Sequence, residues 1–149
     1  MSEKNAFQWS DTYKLGYAPM DETHVEFVEI VDAMLAATDA EFPPLLERFL
    51  AHAVEHFDME YKWMAATAFP ATDCHVDEHE AVLKSVREAV AHLAGGGAVA
   101  PCRPLADELV RWFPGHADYM DASLAQWIVK QKMGGTPVVL RRNVSGNAK

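Results

Sequence analysis

Apolar residues recur at three- and four-residue steps in four stretches of the 149-residue chain, the pattern of helices with one buried face. The stretches cover residues 21–38, 43 or 44 to 66, 74–93 and 105–130. In the first stretch, the repeating apolar positions are Val25, Val28, Val31, Met34 and Leu35. No alternating pattern typical of a strand has useful length before the C-terminal tail. The sequence therefore predicts an all-α protein.

The connections between these stretches are short and rich in helix-breaking residues. Pro43 or Pro44 suits the first turn of the second helix, and Asp73 can cap the third. Four helices with short connections favour an up-down-up-down four-helix bundle, which we place at residues 21–131. Residues 1–20 carry several aromatic side chains without periodicity, so we expect an N-terminal arm that packs on the bundle. Residues 132–149 are expected to form a short, partly flexible C-terminal tail.

Composition and charge exclude several classes of partner. The formal net charge is −9, with 13 Lys and Arg against 22 Asp and Glu, which argues against nucleic acid or an anionic membrane surface. The chain has no apolar run long enough for membrane insertion and no apolar segment typical of a signal peptide, so we expect a cytoplasmic protein. Cys74 and Cys102 are too few for a disulfide scaffold and are expected to be free thiols, although a single bridge stays open.

Histidine is the unusual residue of this composition, with seven in the chain, and most fall at helical spacing. Each predicted helix carries one or two candidate metal ligands. In chain order these are His24, then His56 with Glu60, then His75 with His79, then His116 with Asp121. A bundle interior is a common place to build a metal site from facing helices.

The number of candidate ligands indicates more than one metal ion. A zinc site uses three or four ligands, so five imidazoles and two carboxylates exceed its needs. Two six-coordinate metals that share both carboxylates and an oxo or hydroxo bridge would use all seven and leave one position open. An open position on a buried metal pair is where a small molecule binds. His52 is interpreted as an outer or exposed residue one turn from His56, and His92 as an ordinary residue near a helix end.

The segment HVDEH, residues 75–79, also fits H-x-x-E-H, a zinc-hydrolase pattern in which the inner acid, Glu78, is the general base. That alternative usually needs a substrate-binding strand, which the sequence does not predict. It also leaves His24, His56 and His116 without a role. We therefore favour a metal pair.

The spacing of His116 and Asp121 conflicts with a regular helix. Five residues turn an α-helix by about 500°, so the two side chains would point roughly 140° apart. The fourth helix must therefore bend, unwind or bulge between them. Pro114 and Gly115, just before His116, are our candidates for redirecting the chain.

From Trp9 to about Gln131, the sequence resembles the hemerythrins, specifically the single-domain bacterial ones. The motifs that carry the resemblance are W-x6-G (Trp9, Gly16), MDETH, HFDMEYKWM, FPATDCHVDEHEAVL and WFPGHADYMD. Each is weak alone, but their order along the chain is specific. In place of the two adjacent acids that family members often carry, this chain has Glu60 followed by Tyr61.

The resemblance implies two non-haem iron ions with an oxo or hydroxo bridge, and reversible O2 binding without catalysis. It implies His75, His79 and His116 on one iron, His24 and His56 on the other, and Glu60 and Asp121 as bridges. O2 would enter the vacant place on the two-histidine iron, where small anions such as azide are expected to compete. The expected wall of this pocket is Phe27, Val28, Val82, Leu83, Trp112, Phe113 and Met120.

Two other functions remain open. An O2 or redox sensor would use the same site and act through an unknown protein partner. A di-iron oxidase or peroxidase is the third alternative, but those bundles typically use Glu-x-x-His motifs and are carboxylate-rich.

Overall fold

The computed structural model describes residues 7–132, and all of its regular structure is helical. The helices are α1 (Ala18–Ala36), α2 (Phe42–Thr67), α3 (Thr72–Ala94), α4 (Arg103–His116) and α5 (Ala122–Lys132). A π-helical turn, Ala117–Asp121, joins α4 to α5, so these two form one interrupted rod. Helix α1 contacts α2 and α4, and α2 contacts α3 and α5. The predicted all-α four-helix bundle is confirmed.

Helix boundaries agree with the predicted ones to within a few residues, and α1 differs most. It begins at Ala18, three residues before the predicted start, because Pro19 occupies its first turn, where the fixed φ of proline favours a helix. It ends at Ala36 because Ala37 adopts an extended conformation, with φ −73° and ψ 143°. Short 3-10 turns at Asp11–Tyr13 and Ala100–Cys102 precede α1 and α4.

The apolar core consists of two clusters with the histidines and acids between them. The larger cluster includes Phe27, Phe57 and Ala117, and the smaller one includes Met20, Met64 and Leu124. Along α1, α2 and the interrupted rod, His24, Glu60 and Asp121 each lie between a residue of one cluster and a residue of the other. The candidate ligands therefore form a polar layer enclosed by apolar side chains on both sides.

Two carboxylates of α1 hold the segment that precedes it. Asp21 is buried and accepts hydrogen bonds from the backbone N–H groups of Leu15, at 2.7 Å, and Gly16, at 3.0 Å. Gly16 has a φ of +93°, which favours glycine there. Further back, the N–H of Phe7 donates to Asp32, and the Phe7 ring is buried against Phe113. The described part of the arm, residues 7–17, thus lies against the bundle; residues 1–6 and most of the tail lie outside the described residues.

The break that the spacing of His116 and Asp121 requires is the π-helical turn. In it, the N–H of Ala122 donates to the carbonyl of Ala117, five residues back, which widens the turn by one residue. The break begins after His116, whereas the sequence suggested Pro114 and Gly115. Gly115 is helical without a positive φ, and a Cβ there would meet nothing within 4 Å, so its freedom as a glycine is not what redirects the chain.

Within residues 7–132, no helix is long and apolar enough to cross a lipid bilayer.

Candidate metal centre

The structure brings all seven candidate ligands into one buried cluster. They come from every member of the bundle: α1 gives His24, α2 gives His56 and Glu60, α3 gives His75 and His79, and the interrupted rod gives the other two. None is more than 5% exposed. On α2 and α3 each pair of ligands is four residues apart, which places both side chains on one face of the helix.

The cluster divides into two groups that share Glu60. In each group, one ligand atom per residue lies within 4.8 Å of every other. The larger group consists of Glu60, His75, His79, His116 and Asp121, and the smaller one of His24, His56 and Glu60. The division into a three-histidine side and a two-histidine side is the one that the family resemblance implies.

Each carboxylate presents one oxygen to each side of the cluster. Glu60 Oε1 lies 3.2 Å from His75 Nε2 and 3.4 Å from His79 Nε2, while Glu60 Oε2 lies 2.8 Å from His56 Nε2. Asp121 Oδ1 lies 2.9 Å from His75 Nε2 and 3.2 Å from His116 Nε2, while its Oδ2 lies 3.0 Å from His24 Nε2. Two carboxylates oriented in this way can bridge two cations.

Several of these buried atoms have no hydrogen-bond partner among the described residues, although imidazole nitrogens and carboxylate oxygens lie close to one another. They are His24 Nε2, His75 Nε2, Glu60 Oε1 and Asp121 Oδ1. Burying polar groups without hydrogen bonds costs free energy, and cations bound between these atoms would offset that cost. Imidazole nitrogens and carboxylate oxygens are ligands for first-row transition metals. The residues therefore fit a pair of such ions.

Without metal, protons between imidazoles and carboxylates balance the charge. Burial opposes a charged His24, but the carboxylates of Asp121 and Glu60 outweigh burial and raise the pKa of His24 to about 10. Burial likewise opposes a charged His75, but Asp121 and Glu60 outweigh it and raise the pKa of His75 to about 9. Burial first, and then the positive charges of His116 and His75, lower the pKa of His79 to about 3. Metal ions at these nitrogens would displace the protons.

The carboxylates of the cluster keep their negative charge. Burial and the charge of Asp121 oppose ionisation of Glu60, but His56 and His24 outweigh them and hold the pKa of Glu60 below its ordinary value. The pKa of Asp121 is also lowered against the effect of burial, by His116, His24 and His75. Two buried negative charges are therefore available to offset the charge of bound cations.

Aromatic rings pack against three of the five histidines of the cluster. The Phe57 ring stacks on His79 with ring centroids 3.8 Å apart, and Trp112 stacks on His116 at 4.3 Å. Phe113 contacts His24 edge to face. Phe113 also stacks on Phe27, with ring centroids 4.9 Å apart. Of the expected pocket wall, five residues are buried and two, Trp112 and Met120, are half-buried. The sequence did not single out Phe57, because an aromatic residue at this spacing is typical of an ordinary core.

The remaining histidines lie outside the cluster. His52 is one turn from His56, with its Nδ1 3.3 Å from Glu26 Oε1, and burial and the nearby charges of His56 and His24 lower its pKa to about 4. His92 is exposed and donates from Nε2 to the carbonyl of Ala98, which closes the loop after α3. Both cysteines are free, with Cys74 exposed and Cys102 buried.

The zinc-hydrolase alternative for HVDEH does not fit the structure. Its inner acid, Glu78, lies away from the cluster centre and accepts a hydrogen bond from Nδ1 of His116, at 2.9 Å. No strand is present between residues 7 and 132. Tyr61 stands where family members often carry a second acid, but it does not affect the site, since its side chain is 49% exposed and lies on the outside of α2.

Comparison with known proteins agrees with this geometry. The model of the family described as Hemerythrin HHE cation binding domain matches residues 15–128. A bacteriohemerythrin from Ralstonia nicotianae is 39% identical over 124 residues, which cover 83% of this chain and 90% of that protein. No solved structure matches the chain significantly.

Proposed function

Since the chain belongs to the hemerythrin family, we propose that it binds O2 reversibly at two non-haem irons in the buried cluster, as a carrier or store rather than as an enzyme. The observation that carries this proposal is the orientation of the two carboxylates. Glu60 and Asp121 each present one oxygen to the three-histidine side and the other to the two-histidine side.

The residues would divide between the two irons according to the groups in the structure. His75, His79 and His116 would hold one iron, and His24 and His56 the other, with Glu60 and Asp121 shared. The two-histidine iron would have fewer protein ligands, which leaves room for O2 there. When bound, the iron pair would supply two electrons to O2 and recover them when O2 leaves.

The surroundings of the two-histidine side favour reversible binding. Phe113 lies against His24, and Phe27 stacks on Phe113, so apolar rings cover this side. Both rings are buried, at 1% exposure each, and exclude water from the site. Water or acidic side chains in the pocket would promote the release of bound oxygen as peroxide. A dry apolar wall therefore helps O2 to leave unchanged.

The ligand set favours binding over oxidation of a substrate. Carboxylate-rich bundles with Glu-x-x-His motifs are typical of di-iron enzymes, whereas this cluster has five imidazoles and two carboxylates. Neutral imidazoles leave the iron pair with fewer negative ligands to stabilise highly oxidised states. The cluster also lies between two apolar regions of the core.

Iron content tests the proposal. Protein expressed in a cytoplasm with sufficient iron is expected to contain about two irons per chain, since the ligands form two groups that share Glu60. Elemental analysis by plasma mass spectrometry measures this ratio. A preparation with one zinc and no iron per chain would exclude a di-iron site.

A further inference from the structure

Glu78 links the surface of α3 to a histidine of the cluster on another helix. Its Oε1 accepts a hydrogen bond from Nδ1 of His116 at 2.9 Å, and its side chain is 43% exposed. The opposite nitrogen of the ring, Nε2, faces the cluster, 3.2 Å from Asp121 Oδ1. Trp112 stacks on the face of the same ring, with the planes 20° apart. His116 is therefore held at its outer nitrogen and on its face.

This support distinguishes His116 from other histidines of the cluster. The Nδ1 atoms of His24, His56 and His75 are buried and have no hydrogen-bond partner among residues 7–132. A carboxylate oxygen can only accept a hydrogen bond here, so the His116 nitrogen that faces Glu78 is the donor. With its proton on Nδ1, His116 presents the lone pair of Nε2 to the cluster, as a metal ligand must.

From this geometry we infer that Glu78 is a positioning residue for the three-histidine iron. The inference rests on the proposed function, because it assigns Glu78 a role toward a metal at that site. Glu78 fixes the tautomer and the orientation of the His116 ring. A carboxylate on the outer nitrogen also makes the inner nitrogen a stronger electron donor, and this favours Fe(III) over Fe(II) at that iron.

The inner acid of HVDEH thus has a role that is neither that of a ligand nor that of a general base. On α3, His75 and His79 point to the cluster from one face, and Glu78 lies one residue before His79, toward α4. Helix α3 therefore carries two ligands, His75 and His79, and also the hydrogen-bond partner of a third ligand, His116, which lies 38 residues after Glu78 in the chain.

Glu78→Ala and Glu78→Gln test the inference, with Glu80→Ala as a matched control on an exposed position of the same helix. The readouts are the rate at which a ferrous chelator removes iron from the reduced protein, and the midpoint potential of the iron pair. In Glu78→Ala we expect one of the two irons to bind about 10- to 100-fold more weakly, the usual effect of losing an outer partner, and therefore to leave faster. We also expect a more positive midpoint potential, because the negative charge that favours Fe(III) is gone.

The two variants separate the charge from the hydrogen bond. Glu78→Gln keeps an acceptor oxygen, so slower iron release than in Glu78→Ala with the same shift in potential would support both parts of the inference. If both Glu78 variants match Glu80→Ala in release rate and potential, the inference is wrong. A wild-type protein that takes up no iron would instead contradict the proposed function, so the two failures are distinguishable.

Discussion

Replacing Glu60 by glutamine is expected to reduce the iron content from about two per chain to less than one. Glu60 is the residue that belongs to both ligand groups, and its two oxygens face opposite sides of the cluster. Glutamine has nearly the same shape, but it is neutral and offers one oxygen instead of two. Losing an outer partner of a ligand costs about 10- to 100-fold in metal affinity, so losing a shared charged ligand should cost about 100-fold or more.

The control for this substitution is Glu55→Gln, on an exposed position of the same helix. It removes the same charge from the chain without touching the cluster, so it should retain two irons. Iron per chain, measured after passage over a desalting column, compares the two variants directly. Full iron content in Glu60→Gln would mean that Glu60 does not bridge the two irons.

Removal of iron is expected to lower the melting temperature by about 10 °C or more. A ligand at 1,000 times its Kd stabilises the folded state by about 4 kcal/mol, and 1 kcal/mol shifts the melting temperature of a chain of this size by about 2–4 °C. The metal-free cluster also keeps buried atoms without hydrogen-bond partners, such as His24 Nε2 and His75 Nε2.

Calorimetry of the iron-loaded protein and of the chelated, dialysed protein measures this difference. Restoring Fe(II) under anaerobic conditions should recover the higher melting temperature, which controls for damage during chelation. Equal melting temperatures would show that iron binds elsewhere or only weakly, and that the buried cluster is stable without it.

The helices and the members of the cluster could be predicted from the sequence because both depend on short spacings. Residues four apart, such as His56 and Glu60 or His75 and His79, must share a helix face whatever the rest of the chain does. The five-residue spacing of His116 and Asp121 likewise required a break. Its form could not be predicted, because a π-helical turn depends on how the rod packs, and the turn lies after the proline and glycine that the sequence suggested.

The outer contacts of the site could not be predicted from spacing. Glu78 and His116 are on different helices, and their hydrogen bond depends on the rotation of α3 relative to α4. The stacking of Phe57 on His79 depends in the same way on the rotation of α2 relative to α3. A sequence pattern fixes which residues share one helix face, but the angle between two packed helices is set by the whole interface.

The most direct test of the proposed function is the visible absorption spectrum through a cycle of oxygenation. Anaerobically reduced protein should absorb little visible light, gain a charge-transfer band when air is admitted, and lose that band when O2 is removed under argon. Repeated cycles without loss of iron or of amplitude are the result that reversible O2 binding predicts. A spectrum that does not respond to air, or a band that remains after O2 is removed, would contradict it.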